Sequence, residues 1–362
     1  MKNKKIALMI IVFFIIVAIF YLQGRKNTPV GEIENKDIVK DVVSKIDQEK
    51  FTMKESTYPK AKELESPQGY FNVENITLAE HIGKDVILVD FWTYTCINCQ
   101  RTLPYLNAWH EKYKDQGLAI IGVHTPEFDF EKDYNNVKKA IEKYGIKYPV
   151  VQDNEYKTWR AYGNRYWSRK YLIDIDGFIV YDHIGEGGYE ETEREIQKLL
   201  EERNKRLNEN EKISDDLAKP NITSPEFQAI QTPEIYFGYD FSRNQMGNEE
   251  GYNPESAVSY ILPKKLTNNK FYLNGTWLNN KDNLESINDG SITINYHSKN
   301  INLVAGANDP VNISVYIDNN FVENIAISNY DLYNLYSGLN YEDHQLEIKT
   351  TKGLRAYTFT FG

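Results

Sequence analysis

The sequence predicts an α/β domain followed by an all-β jelly-roll sandwich, behind one apolar N-terminal segment. Three observations carry this. The only two cysteines in 362 residues, Cys96 and Cys99, lie between an apolar run and a helix-like run. Apolar stretches and helical periodicity alternate from about Ser66 to Asn208. Beyond Pro233 the texture changes to short alternating runs rich in Tyr, Ile, Val and Asn.

The N-terminus places Lys2, Lys4 and Lys5 ahead of 17 apolar residues, Ile6 to Leu22, with Arg25 and Lys26 after them. A run of this length lies at the short end of what spans a bilayer. Basic residues ahead of it orient the N-terminus to the cytoplasm and export the remainder. Its end, Ile19-Phe20-Tyr21-Leu22, lacks a small-x-small cleavage pattern. No Cys follows for a lipid anchor. A single uncleaved transmembrane signal-anchor over 1–26 is therefore expected, with the rest on the extracytoplasmic side. Residues 27–65 are charged and poor in aromatics, and read as a stalk. The chain has 26% charged residues and a net charge of −10. Nucleic acid is excluded as a partner, because neutralising phosphates needs a concentrated basic surface.

Within 66–208, Tyr70–Val73 reads as a strand and Thr77–His81 as a short helix. Val86–Trp92 is apolar enough to be buried on both faces of a sheet. A helix from about Cys96 to Lys114 contains Pro104. Leu118–Val123 is a second buried strand, Lys132–Tyr144 a helix and Pro149–Val151 a short strand. Tyr171–Val180 holds an Asp-Gly turn between two strands, a hairpin signal. Glu190–Asn208 is a charged final helix. A mixed sheet covered by helices on both faces follows.

A Cys-x-x-Cys at the first turn of a helix suits dithiol redox chemistry. The unpaired N–H groups there favour a thiolate over a thiol. Two intervening residues let the second sulfur close a disulfide. A structural bridge is the bland alternative, although so short a loop removes little unfolded-state entropy. A zinc site would need two further ligands, and the six histidines are scattered. No cofactor and no metal are expected.

Ile87-Leu88-Val89-Asp90-Phe91-Trp92 followed by Cys96-Ile97-Asn98-Cys99 resembles the thioredoxin active-site segment. The run from Trp92 to Leu106, then Gly122-Val123-His124-Thr125-Pro126-Glu127-Phe128, is similar to the membrane-anchored TlpA-like branch and, within it, to the DipZ family. Ala161–Trp167 and His183–Tyr189 extend the likeness, which covers about Ser66 to Gly362. It implies a thioredoxin-like fold over 66–208 and a thiol-disulfide oxidoreductase. Cys96 would attack a substrate disulfide, Cys99 would resolve the mixed disulfide, and Asp90 beneath the pair would assist its proton. It also implies an acid near the cysteines at Glu127, and Trp92 packed beside them. Asp90 and Trp92 are equally readable as strand-end and core residues, and Glu127 as a loop carboxylate. One departure stands out. These families carry a cis-proline where this chain has Ser168, which puts the docking of substrate in question. DipZ proteins usually carry a multi-spanning electron-carrying domain in front, so a separate membrane electron donor is expected here.

Residues 209–232 read as a polar linker with Pro220 and Pro225. Over 233–362 many strands and no helix predict the jelly-roll sandwich, and its closing run, Ala356 to Gly362, resembles the carbohydrate-binding-module-like domain that ends DipZ proteins. Tyr236, Tyr239, Tyr252 and Trp277 could stack on a glycan or pack in the sandwich. Three readings of function remain. One is an exported disulfide oxidoreductase acting on exported proteins, with cytochrome c maturation as a setting. Another is a thiol peroxidase, because Thr93-Tyr94-Thr95-Cys96 matches a Thr-x-x-Cys pattern. The last is a surface protein binding a glycan or protein partner.

Overall fold

The structure, a computed structural model, describes residues 51–220 and 229–362. The signal-anchor expected over 1–26 and most of the stalk lie outside them. Among the described residues no helix is long and apolar enough to cross a membrane. Residues 51–57 are helical and fall in a unit of their own; Tyr58–Gly362 form one compact unit.

Seven buried residues in a row make β2 (Val86–Trp92) the centre of the first sheet. It pairs in parallel with β3 (Leu118–His124) and antiparallel with β5 (Arg169–Ile173). With β1 (Gly69–Phe71), β4 (Val150–Gln152) and β6 (Ile179–Ile184), the order is β1-β4-β3-β2-β5-β6. Side chains alternate along a strand, so β2 feeds two cores. Val86, Leu88 and Trp92 face α1 (Ile97–Tyr113), α2 (Tyr134–Lys143) and α4 (Tyr189–Leu207). Ile87, Val89 and Phe91 face Trp159 of α3 (Lys157–Ala161), with Leu64 and Leu78. Asp90 shares parity with Leu88 and Trp92, which turns its carboxyl toward α1.

Three expectations need correction. Thr77–His81 forms turns rather than a helix, with the Leu78 carbonyl accepting from His81 and Ile82 N–H. The last stalk residues belong to the domain. The Ala61 N–H donates to the Gly177 carbonyl, and Leu64 is buried. The Glu63 carboxylate accepts from the Leu78 and Ala79 N–H groups. The first part of the polar linker is also docked: Ile213 is buried against the helices, and the Ala218 N–H donates to the Glu193 carboxylate. In each case one apolar anchor and a few backbone bonds outweigh a charged composition.

From β7 (Ile235–Tyr236) onward the chain is all-β. It comprises β8 (Ala257–Tyr260), β9 (Phe271–Asn279), β10 (Leu284–Ser286), β11 (Gly290–Gly306), β12 (Val311–Ile317), β13 (Asn320–Ile327), β14 (Asp331–Thr350) and β15 (Arg355–Phe361). The sheet runs β13-β12-β14-β11-β15-β10-β9-β8. The first half of β11 also pairs with β9, so β9, β10, β15 and β11 close a circuit around the core. Trp277 is fully buried there, with its indole N–H donated to the Asn274 carbonyl. Tyr236 is buried and Tyr252 packs against the same core. These rings are packing residues.

The two halves share an aromatic cluster. Phe128 of the β3–α2 loop is buried with Tyr236, Val304 and Tyr357, and Phe130, Phe241 and Tyr330 surround it. The Tyr94 hydroxyl donates to the Tyr330 carbonyl (3.3 Å), and Lys143 pairs with Asp331 (2.6 Å). Arg101 on α1 donates to the Gly362 carbonyl (3.1 Å). Phe128→Ala is expected to cost about 3 kcal/mol and to split one urea transition into two. Hydrogen exchange resolved by peptide follows the two halves separately; a single unshifted transition would count against a shared core.

Candidate active site

The strand delivers Thr93-Tyr94-Thr95 and then Cys96, the N-cap residue of α1. Its backbone is extended (φ −72°, ψ 116°), and its Sγ accepts the Cys99 N–H at 3.3 Å. No acidic side chain occupies the first turn to oppose charge on that sulfur. Cys96 is partly exposed, Cys99 is 1% exposed, and both are free thiols. Burial pushes the Cys99 thiol well up, with the neighbouring Cys96 and Asp90 adding to it.

Asp90 is buried beneath this pair, and its Oδ1 has no hydrogen-bond partner. Burial raises its pKa to about 7, against the pull of Lys170. Lys170 stands opposite Asp90 in the β2–β5 register and is itself buried. Its Nζ donates to the Gly185 carbonyl (2.9 Å), and burial lowers its pKa. Trp92 is fully buried in the core that includes Cys99, with its ring edge toward His124 (5.2 Å between centroids). Burial holds His124 neutral, with a pKa lowered to about 3, and its Nε2 lies 3.3 Å from the Thr93 hydroxyl.

Ser168 is fully buried at the start of β5, and the Trp167–Ser168 peptide is cis. Its carbonyl accepts the Gly185 N–H (2.7 Å). Trp167 donates its indole N–H to the Thr125 carbonyl and packs on Trp159.

Glu127 makes a different contact. The Tyr236 hydroxyl lies 2.7 Å from Glu127 Oε1 and 2.8 Å from Glu234 Oε2, linking the two halves. Burial first, then mutual repulsion with Glu234 and Glu131, holds Glu127 well above the usual carboxylate range. The acid bonded to the cysteine loop is instead Glu131, whose Oε1 accepts from the Thr95 hydroxyl at 2.5 Å. Sequence reasoning missed Glu131 and Lys170. Their signal was a charged residue beside apolar ones, Glu131 next to Phe130 and Lys170 directly ahead of the buried run Tyr171–Ile173. Among the described residues the cysteines join no cluster of three metal-ligating side chains.

A central β2 that delivers a Cys-x-x-Cys to a helix start in a mixed sheet, with a buried aspartate below, defines a thioredoxin-like dithiol protein. The profile of the AhpC/TSA family matches residues 59–182, and that of the thioredoxin-like C-terminal domain matches 232–362. The chain is 37% identical over 310 residues to Protein DipZ of Mycobacterium tuberculosis, covering 83% of this chain and 43% of DipZ. It therefore spans less than half the length of that relative. It is 35% identical over 126 residues to the thiol-disulfide oxidoreductase ResA of Bacillus anthracis, covering 35% of this chain and 69% of ResA. SUPPRESSOR OF QUENCHING 1 of Arabidopsis thaliana is 34% identical over 125 residues, 34% of this chain and 12% of that protein. The chain belongs to the thioredoxin-like thiol-disulfide oxidoreductase family of ResA.

The folded pKa of Asp90, about 7, lies above the ~3.9 of an unfolded aspartate. The folded state holds the extra proton, so this group's contribution to stability falls as pH rises from about 4 through about 7. Asp90→Asn is expected to be more stable than the native chain by on the order of 2–4 kcal/mol at pH 8 and by little at pH 4, read by chemical denaturation. An equal difference at both pH values would mean that the aspartate is not buried as an acid.

Proposed function

We propose that the protein is a membrane-anchored, extracytoplasmic thiol-disulfide oxidoreductase that exchanges disulfides with exported proteins. The observation that carries this reading is the paired placement of the sulfurs: Cys96 partly exposed at the helix cap, Cys99 buried one turn in. The Cys96 thiolate attacks one sulfur of a substrate disulfide, forming a mixed disulfide and expelling the other as thiolate. Cys99 then loses its proton and attacks Cys96 Sγ. The Cys96–Cys99 disulfide forms, the second substrate sulfur leaves, and two electrons have passed to the substrate. Asp90, poised near neutrality beneath Cys99, accepts the resolving thiol's proton. Base strength matched to working pH suits that task. A dithiol donor must reduce the pair again, and a separate membrane protein is proposed for this.

The tether rests on the apolar run Ile6 to Leu22 with its basic flank, and the cytochrome c setting on the family resemblance alone. A jelly-roll sandwich that presents a glycan or protein partner is proposed for residues 233–362. Peroxide reduction is less favoured, because the Thr93 hydroxyl that would position a peroxidatic thiolate lies against His124 instead.

Cys99→Ser is expected to accumulate mixed disulfides with exported proteins, since Cys96 still attacks and nothing releases it. Cys96→Ser should accumulate none. Non-reducing gels after acid quench read the difference, and the reverse pattern would exchange the two roles.

A further inference from the structure

Glu131 takes no part in the steps above, yet it is the most heavily bonded acid beside the cysteine loop. It lies in the 3-10 turn Asp129–Lys132, with no solvent exposure. Its Oε1 accepts from the Thr95 hydroxyl (2.5 Å) and the Thr95 N–H (3.4 Å). Its Oε2 accepts from the N–H groups of Glu127 (2.6 Å) and Phe128 (3.0 Å). An ionised carboxylate is acceptor-only, and four donors converging on two oxygens match that form. Burial raises its pKa on balance, and these donors, with the Thr93 hydroxyl, oppose the rise. Glu131 makes no ion pair among the described residues, so its charge is balanced by dipoles rather than by a cation.

The three residues before Cys96 are all tied to neighbouring elements, and the side chains of Thr93 and Thr95 both lie against Glu131. Thr93 meets His124 at the end of β3, Tyr94 donates to Tyr330 ahead of β14, and Thr95 meets Glu131. Only the last tie brings a formal charge to the peptide that joins directly onto Cys96.

We propose that Glu131 is a positioning residue for disulfide exchange: through Thr95 it fixes Cys96 at the helix cap, and its fixed negative charge makes the dithiol a stronger reductant. The inference rests on the oxidoreductase reading of this site. The electrostatic argument is direct. A like charge disfavours the thiolate, which is populated only in the reduced state. The anion therefore tilts the couple toward the disulfide, so electrons are given up more readily. Hydrogen bonding acts through the same contact, because the Thr95 hydroxyl bonds a carboxylate more strongly than a neutral amide. Without the Thr95 anchor the backbone carrying Cys96 has one bond fewer to hold its sulfur against the Cys99 N–H.

The test uses the full chain. Glu131→Gln keeps an acceptor for Thr95 and removes the charge; Thr95→Val keeps the charge and removes the hydroxyl. Equilibration with glutathione should shift about tenfold toward the dithiol in Glu131→Gln, about 30 mV less reducing for a two-electron couple. It should shift far less in Thr95→Val. Both variants should lower kcat for a disulfide substrate several-fold with KM nearly unchanged, and the double variant should be no slower than the worse single one. An unmoved equilibrium in Glu131→Gln, or rate losses that multiply in the double variant, would overturn the proposal. Should Glu131→Gln fail to fold by circular dichroism, Thr95→Val with Thr95→Ser decides alone: serine must restore kcat, and a slow Ser variant sinks the idea. A native chain that equilibrates with glutathione yet reduces no protein disulfide would instead remove the oxidoreductase reading, leaving the equilibrium comparison to judge Glu131.

Discussion

The site depends on a buried carboxyl placed under a buried thiol. Asp90 sits on a strand with no solvent on either face, and Cys99 lies one turn into the helix above it. Neither group has water to stabilise its charge, so burial raises the proton affinity of both, and Asp90 raises that of Cys99 further. The two sulfurs are thereby made unequal, Cys96 partly exposed at the helix cap and Cys99 buried, as the proposed exchange requires. The chemistry asks for that inequality, because the first sulfur must react with an outside disulfide and the second must wait.

Lys170 modifies this arrangement without cancelling it. Its ammonium lies near Asp90 across the β2–β5 ladder, and Cys99, Glu186 and His183 are close to it as well. A buried lysine is rare unless paired. Here it limits how far burial can lift the aspartate, which leaves Asp90 titrating near neutrality. Charge in this pocket is set by a strand pair, not by the helix that carries the cysteines.

Much of this was legible in the chain itself. The seven-residue run Val86–Trp92 announced a doubly buried strand, and the resemblance to the thioredoxin active-site segment put Asp90 beneath the cysteines. The Cys-x-x-Cys spacing announced the helix cap. What periodicity reports is whether a side chain is buried, not against what. Phe128 read only as the end of a motif and Tyr236 as a glycan or sandwich ring, yet they meet each other across the two halves. The same limit hid Glu131, whose role comes from four donors brought together by a loop. It also hid Pro59–Glu65, where a single leucine and the carboxylate of Glu63 hold a segment whose charge pattern reads as a stalk. Glu127 was picked out as the acid of the cysteine loop, and in space it belongs to the contact with the β half.

That contact has a stoichiometry. Tyr236 brings one hydroxyl hydrogen to two carboxyl groups, and its oxygen can donate to only one of them. The other short bond forms only if that carboxyl keeps its own proton. Burial raises the proton affinity of both Glu127 and Glu234, and repulsion from Glu234 adds to it at Glu127, in line with this count. The seam between the halves therefore holds a proton as a structural component, much as other seams hold a bridging ion. Its tightness becomes a function of the acidity of the surroundings, with an alkaline medium withdrawing the proton and setting two like charges against one phenol.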